Sequence, residues 1–443
     1  SRTRPWLHQG RRWRRECSCI ERRPDPLPPP VHVGPLDRGR VASAITMNAS
    51  DQPLESIPDF RRRVRAFFTE LPALLDARHG TMDRAKTYRR ALCDAGLAGI
   101  SYPIELGGAG LPAEYDQAFR DESRELVPGE DALFGIGLGM TVPTLLEHGS
   151  PALQERFVPP ALRGDEIWCQ LYSEPGAGSD LAGLTTRAIL DGDEWVITGQ
   201  KVWTSGAHHA DLGILIARTD FEVPKHSGIT MFVVPMHQPG VTVRPLVQMT
   251  GVAEFNEVFL DEARVPADWV VGDVNGGWGL AVALLAHERT SLGRGNLTDD
   301  EAKSKAGRSP LPFSGLVARA REHDRLADPL VRQELAAVCI GERLVPWGTA
   351  RGLHPSIGKL WRTIQGRRAA QLAHLLGGPT AAAWEPDDVD DDYFASHVLN
   401  CRGMSLGGGT DEIQKNTLGE RVLGLPREPG PDRNTPFSEL PRN

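Results

Sequence analysis

Apolar residues recur at helical spacing through the first part of the chain. The stretch Phe60 to Leu75 mixes charged and apolar residues with a 3.6-residue period, and Leu92, Leu97 and Ile100 continue an apolar face. Gly107, Gly108 and Gly110 interrupt it as a loop, and helical patterns resume at Glu114–Glu125 and Thr141–Glu147. From Trp168 the period shortens. Trp195–Ile197, Leu212–Ala217, Met231–Val234, Val241–Val247 and Val258–Leu260 are short apolar runs rich in Val and Ile. Turn residues divide them: Asp191-Gly192, Thr198-Gly199 and Gln238-Pro239-Gly240. The helical period returns after Gly276-Gly277 and runs to about Leu423, with a polar break at Asn296–Pro312. The pattern predicts an α+β chain: an all-α domain over 47–167, an antiparallel β domain over 168–275, and a helical domain over 276–428. The Pro-rich tail over 429–443 is expected to be loose.

Composition narrows the classes. The chain has 443 residues, enough for two or three domains, with 24% charged residues and a net charge of -8. A nucleic-acid binder would carry a basic excess, so that class is disfavoured. No apolar run approaches the length needed to span a bilayer. Six scattered cysteines with no C-x-x-C pair form no disulfide framework and point to a reducing cytoplasm. Residues 1–46 are different material, with ten arginines against four acidic residues and prolines clustered from Pro24 to Pro35. Without an apolar h-region they make a poor signal peptide, and they are expected to be an extension with no role in the fold. No βαβ alternation appears, which argues against a Rossmann cofactor site. The glycines Gly135, Gly137 and Gly139 lie in a helical setting and do not make a dinucleotide loop.

Three segments carry candidate chemistry. Leu171-Tyr172-Ser173-Glu174-Pro175-Gly176-Ala177-Gly178-Ser179-Asp180 opens the β region, with glycines that let backbone N–H groups approach a ligand. Gly199-Gln200-Lys201-Val202-Trp203-Thr204-Ser205-Gly206 follows at hairpin distance. Gly407-Gly408-Gly409-Thr410-Asp411-Glu412-Ile413-Gln414 lies near the end, before Arg421-Val422-Leu423-Gly424. In this order the motifs resemble the acyl-CoA dehydrogenase family over residues 55–428. The resemblance implies a barrel-like middle domain, a C-terminal four-helix-type bundle, and FAD held between them with acyl-CoA on the other face of the flavin. It implies α,β-dehydrogenation to the trans-2-enoyl-CoA, in which a glutamate removes the α-proton and the β-hydride passes to flavin N5. Electrons then leave to an electron-transferring flavoprotein, and the family's oligomers make a partner chain expected.

By position, Ser173 and Ser205 match hydroxyls that hydrogen-bond the flavin, with Tyr172 beside them. Trp203 matches the aromatic residue packed on the ring system, and Thr410 and Glu412 match further FAD contacts. Ser179 matches a serine that touches the acyl-CoA. Fixed donors at such places stabilise charge that develops on the flavin. The commonest position for the base holds Gly408 here. A second family arrangement puts the glutamate on a helix before an arginine, and Leu284-Leu285-Ala286-His287-Glu288-Arg289 matches it. Glu288 is therefore the expected base, on one helix face with Leu284 and Leu285, and Arg289 is expected at the substrate.

Several departures matter. An acidic residue common two places before this glutamate is Ala286, the Arg–Phe–Gly segment of homotetrameric members is missing from Asn296–Asp328, and His374 precedes Gly377-Gly378 where a glutamine is usual. These losses resemble actinobacterial-type members that assemble as α2β2 pairs, so either a homo-oligomer or such a hetero-oligomer is expected. A non-catalytic or site-sharing subunit of a heteromeric dehydrogenase, or an oxidase or monooxygenase on the same scaffold, are the competing readings. His208 and His209 have no metal-ligand spacing around them, and no metal is expected. Asp387–Asp392 reads as a solvated loop, and Trp347, Trp361 and Trp384 as core or interface residues.

Overall fold

A computed structural model describes residues 54–75, 80–123, 126–127, 129–291, 311–379, 381, 389–427, 429–430, 432 and 434–441. The 1–46 extension, Trp384 and most of the polar break at 296–312 lie outside these residues. The N-terminal helices are α1 (Ile57–Leu74), α2 (Thr81–Asp94), α3 (Ala113–Ser123), α4 (Val142–His148) and α5 (Pro151–Arg163). Helix α1 starts at Ser56, whose hydroxyl accepts the Asp59 N–H. Its apolar stripe of Phe60, Val64 and Phe68 closes with Tyr88, Leu92 and Tyr115 into the core of the first domain.

The β region contains β1 (Trp168–Leu171), β2 (Arg187–Asp191), β3 (Glu194–Ser205), β4 (Leu212–Arg218), β5 (Ile229–Pro235), β6 (Val241–Leu246), β7 (Phe255–Pro266) and β8 (Val270–Val271). They form one sheet in the order β6-β7-β3-β2-β4-β5-β8, with β1 beside β4. Pairing is antiparallel except where β1 and the end of β2 run parallel to β4. Every residue of β4 is buried, so that strand reads as a continuous apolar run, as expected of a strand covered on both faces. One face of the sheet packs Ile197, Leu215, Phe232, Val258 and Val265 together. The other joins Ile214, Ile216, Met231 and Val233 to Met140, Leu145 and Phe157 of the N-terminal helices.

The C-terminal helices divide between two cores. Helix α6 (Gly277–Ser291) sends Ala281 and Leu284 into the core shared by the sheet and the N-terminal helices. It packs on α4 and β5. The other helices are α7 (Phe313–Glu322), α8 (Pro329–Ala350), α9 (Pro355–Gly377), α10 (Val389–Asn400) and α11 (Asp411–Thr417). They form a bundle with α9 touching each of the other four. Its core is Leu316, Val331, Leu335, Val338, Ala369 and Leu376.

The expectation of a loose tail needs correction. The Phe437 N–H donates to the Val223 carbonyl and the Ser438 N–H to that of Phe221. The Phe437 ring is buried, with the Arg218 guanidinium 3.5 Å from its centroid. Arg218 is itself fully buried and donates to the carbonyls of Ala182, Leu184 and Lys225. A single aromatic anchor among prolines leaves no periodic signal, which is why the docked stretch escapes a reading by pattern. Phe437→Ala should lower stability by about 3 kcal/mol. Thermal denaturation and C-terminal proteolysis check this, with the variant cleaved faster near residue 437.

Candidate active site

The site is organised by an irregularity in β3. The strand pairs with β7 as far as Lys201 opposite Val258, and pairing resumes with Thr204 opposite Asn256. Two residues, Val202 and Trp203, thus oppose Glu257, which makes a β-bulge. Freed from the ladder, the Val202 N–H donates to the Ser173 carbonyl at 2.9 Å. Trp203 takes a left-handed backbone with φ 61°, a conformation that costs a bulky residue about 1–3 kcal/mol. Its side chain is turned outward, 61% exposed, with its ring edge-on to Phe255 at 5.9 Å. Ser205 follows, half-buried, opposite Phe255. The buried Asn256 fixes this edge from behind: its Nδ2 donates to the Thr204 carbonyl at 2.9 Å, and its Oδ1 meets His208 Nδ1 at 3.1 Å. His208, one of the paired histidines of the loop, is thereby tied to the strand edge.

A buried ion pair clasps this edge to the segment after β1. Lys201 Nζ is 2.9 Å from Glu174 Oε1 and donates to the Tyr172 carbonyl at 3.0 Å. The other oxygen, Glu174 Oε2, accepts the Thr185 N–H at 2.7 Å and the Thr185 hydroxyl at 2.9 Å. The Thr186 N–H completes the set on Oε1 at 2.9 Å. Burial alone would raise the Glu174 carboxyl. The Lys201 charge and the hydrogen bonds from Thr186 and Thr185 outweigh it and hold the group down at about 2. Close packing also explains Gly199, where a Cβ would stand 2.3 Å from Thr186 Oγ1.

Tyr172 and Ser173 face opposite ways. Ser173 is half-buried beside the bulge. Tyr172 is buried in the core with Leu284, and its hydroxyl has no hydrogen-bond partner among the described residues. Burial, and then the negative charge of Glu288, push the phenol well above its ordinary value of 10. Glu288 is half-buried, one turn beyond Leu284 on α6. Its neighbour His287 pairs with Glu147 at 3.2 Å. Arg289 belongs to the same helix, and its side chain lies outside the described residues. Ser179 is exposed on the glycine-rich turn, next to Asp180, which pairs with Lys225 at 2.7 Å.

The third motif stands in the bundle. Thr410 caps α11, its hydroxyl accepting the Ile413 N–H at 3.2 Å, and Glu412 is exposed on the first turn. Asp411 between them is buried and reaches Lys359 at 2.8 Å and Arg367 at 3.5 Å, so α11 is anchored on α9. Gly408 has φ +64°, so a glutamate there would be strained. The structure thus brings Ser173, Trp203 and Ser205 together, while the Tyr172 side chain, expected at the cofactor, is instead buried in the core, where the charge of Glu288 acts on it. Thr410 and Glu412 are held on a separate element. Glu174, Lys201, Thr185, Thr186 and Asn256 were not singled out from sequence, although Glu174 and Lys201 lie inside the quoted motifs.

A flat aromatic cofactor suits this ledge. Trp203 presents its ring outward, and would-be Cβ atoms at Gly176 and Gly178 meet nothing within 4 Å, so the turn is open to a ligand. Among the described residues no group of three or more His, Cys, Asp or Glu side chains suits a metal ion. No helix among them is long and apolar enough to cross a membrane.

Residues 55–165 match the model of the acyl-CoA dehydrogenase N-terminal domain, and residues 169–263 that of its middle domain. Acyl-CoA dehydrogenase IpdE1 of Mycobacterium tuberculosis is 37% identical over 399 residues, covering 85% of this chain and 99% of that protein. The chain belongs to the acyl-CoA dehydrogenase family. It is an oxidoreductase of that family, and its cofactor is FAD. Among solved structures, the Tcur3481-Tcur3483 steroid acyl-CoA dehydrogenase aligns with a TM-score of 0.65 at 30% identity, over 84% of this chain and 98% of that one. The ChsE4-ChsE5 complex of M. tuberculosis aligns with a TM-score of 0.63 at 27% identity, over 86% of this chain and 100% of that one. The expected α+β architecture of helices, sheet and helices is that of the family.

The clasp makes a pH prediction. Because the folded carboxyl titrates near 2, below its ordinary 4.5, its contribution is fully present above about pH 4.5 and is lost as pH falls toward 2. The size is about 3 kcal/mol at 1.36 kcal/mol per unit. Denaturant titrations at pH 5 and pH 3 should show about half of this loss, about 2 kcal/mol, in the wild type and a smaller one in Glu174→Gln.

Proposed function

We propose that this chain oxidises an acyl-CoA thioester to the trans-2-enoyl-CoA with Glu288 as the base. The Glu288 carboxylate takes the α-proton as the Cα–H electron pair moves into the new Cα–Cβ double bond and the β-hydrogen departs as hydride. FAD supplies the acceptor for that hydride. Ser173 and Ser205 would hold the flavin by hydrogen bonds, Trp203 would pack on it, and Thr410 and Glu412 would contact it from the bundle side. Ser179 and Arg289 would bind the thioester. The observation that carries the reading is the two-faced segment Tyr172-Ser173. Ser173 belongs to the ledge, while Tyr172 is close enough to Glu288 for that charge to act on its phenol. Ledge and base are thus coupled through adjacent residues. Leu284 and Leu285, four and three residues earlier, put apolar side chains on the helix face that carries the carboxylate.

The substrate is inferred to be a steroid-derived thioester, on the likeness to the steroid dehydrogenase above. Assembly is inferred to be α2β2 with a related chain. That rests on the missing Arg–Phe–Gly segment and on the heteromeric make-up of the two structural neighbours, Tcur3481-Tcur3483 and ChsE4-ChsE5. An exposed apolar face supports it, since Ile340, Leu344 and Trp347 lie on one side of α8 at 58%, 40% and 60% exposure. Electrons would pass on to an electron-transferring flavoprotein.

Glu288→Gln should keep the fold and the FAD but slow flavin reduction by about 10²–10⁴-fold, since Gln has nearly the same shape and no proton affinity. Anaerobic stopped-flow bleaching of the flavin, with a thioester the wild type accepts, decides this. Wild-type rates would move the base to another residue or another chain. Co-expression with related chains and native mass spectrometry should give an α2β2 species. A fully flavinated homotetramer would overturn the assembly reading.

A further inference from the structure

We infer that Lys201, acting through Glu174 and the Tyr172 carbonyl, is a positioning residue that sets the flavin-binding ledge. The side chain is fully buried, and nothing in the sheet ladder requires an ammonium there. A methionine or leucine would fill such a position without the cost of desolvating an ion. The ammonium is instead spent on geometry. It donates to the Tyr172 carbonyl at 3.0 Å and to Glu174 Oε1 at 2.9 Å, while the next residue on its own strand, Val202, donates to the Ser173 carbonyl at 2.9 Å. Two successive peptides of the first motif are therefore fastened to two successive residues of the second.

The fastening sits at the bulge, where Val202 and Trp203 are out of register with β7, and it is what ties this part of β3 to the segment that carries Ser173. Glu174 extends the clasp to the start of β2, because its carboxylate gathers Thr185 and Thr186. Lys201 would touch neither flavin nor thioester. Its effect would reach the cofactor through Ser173, Trp203 and Ser205.

This inference rests on the reading that the ledge carries the flavin, and a wild-type assembly that takes up no FAD would sink that reading before any variant is compared. The experiment uses the complete holoenzyme, with its partner chain if one is needed. Four proteins are compared: wild type, Lys201→Met, Lys201→Met with Glu174→Gln, and Thr185→Val. Four properties are measured without thioester: the FAD dissociation constant, the visible circular dichroism of the bound flavin, its midpoint potential and the melting temperature. Flavin reduction by thioester follows.

Lys201→Met should weaken FAD binding, change the flavin dichroism and lower the potential, because displaced donors stabilise the reduced flavin less. Reduction by thioester should fall roughly 10²-fold, the scale of a misplacement near 1 Å. The double variant leaves no unpaired buried carboxylate, so its melting temperature should recover toward wild type while the dichroism and FAD affinity stay altered. A clasp that served stability alone would let all of these recover together, and that result overturns the proposal. Thr185 is exposed, so Thr185→Val should fold normally and show the same dichroism change in smaller degree. If both Lys201 variants fail to fold, a Thr185→Val protein with wild-type dichroism and FAD affinity overturns the proposal, and an altered one supports it.

Discussion

One buried charge pair joins the two motifs on which the ledge depends. Lys201 and Glu174 lie 27 residues apart in sequence and within 2.9 Å in space. Removing a buried ammonium and a buried carboxylate from water is costly, and the pair is tolerable only because their polar neighbours complete the bonding. Glu174 accepts four hydrogen bonds, enough for both of its oxygens. An arrangement of this kind permits few alternatives. A half-satisfied version would be worse than an apolar core, so the segment after β1, the start of β2 and the bulge in β3 hold one mutual position. The strained Trp203 backbone fits that view, since such strain persists only where its surroundings fix it.

The division of the C-terminal helices follows from where their apolar residues go. Helix α6 gives Ala281 and Leu284 to the core shared with β5 and α4, which makes it part of the scaffold beneath Tyr172. Glu288, the proposed base, is therefore carried by a helix packed on the sheet, the kind of support that holds a side chain to a fixed geometry. The bundle of α7 to α11 has its own core, and it presents Thr410 and Glu412 through an α11 anchored by Asp411 to Lys359 and Arg367. The tail returns to the β domain through Phe437, bracing the 221–226 loop next to the Asp180 turn.

Much of this could be read from the chain, and the limits have physical causes. The change from a 3.6-residue period to short Val- and Ile-rich runs marks the passage from helices to sheet, because burial of one face imposes that period. The parallel pairing of β1 with β4 leaves no local signal, as parallel neighbours are joined by long connections. Strand β2 buries only Ala188 and leaves Ile189 and Leu190 exposed, so burial imposes no alternation on its sequence. Ser173, Trp203 and Ser205 were legible because their motifs occur in family order. Lys201 and Glu174 stood in the same motifs without a role, since their contact depends on a bulge that sequence spacing does not reveal. The neighbourhood of Tyr172 and Glu288 likewise arises because α6 packs into the core that holds Tyr172, more than 100 residues away in the chain.

The central claim is that one clasped ledge holds FAD against a base on α6. A crystal structure of the full assembly with FAD and a non-reactive acyl-CoA analogue tests it most directly. The account predicts a Glu288 carboxylate oxygen within about 3–3.5 Å of the α-carbon, a near-attack distance, with the flavin lying against Trp203 and hydrogen-bonded by Ser173 and Ser205. An α-carbon closer to another carboxylate, of this chain or its partner, with Glu288 turned away, would contradict it.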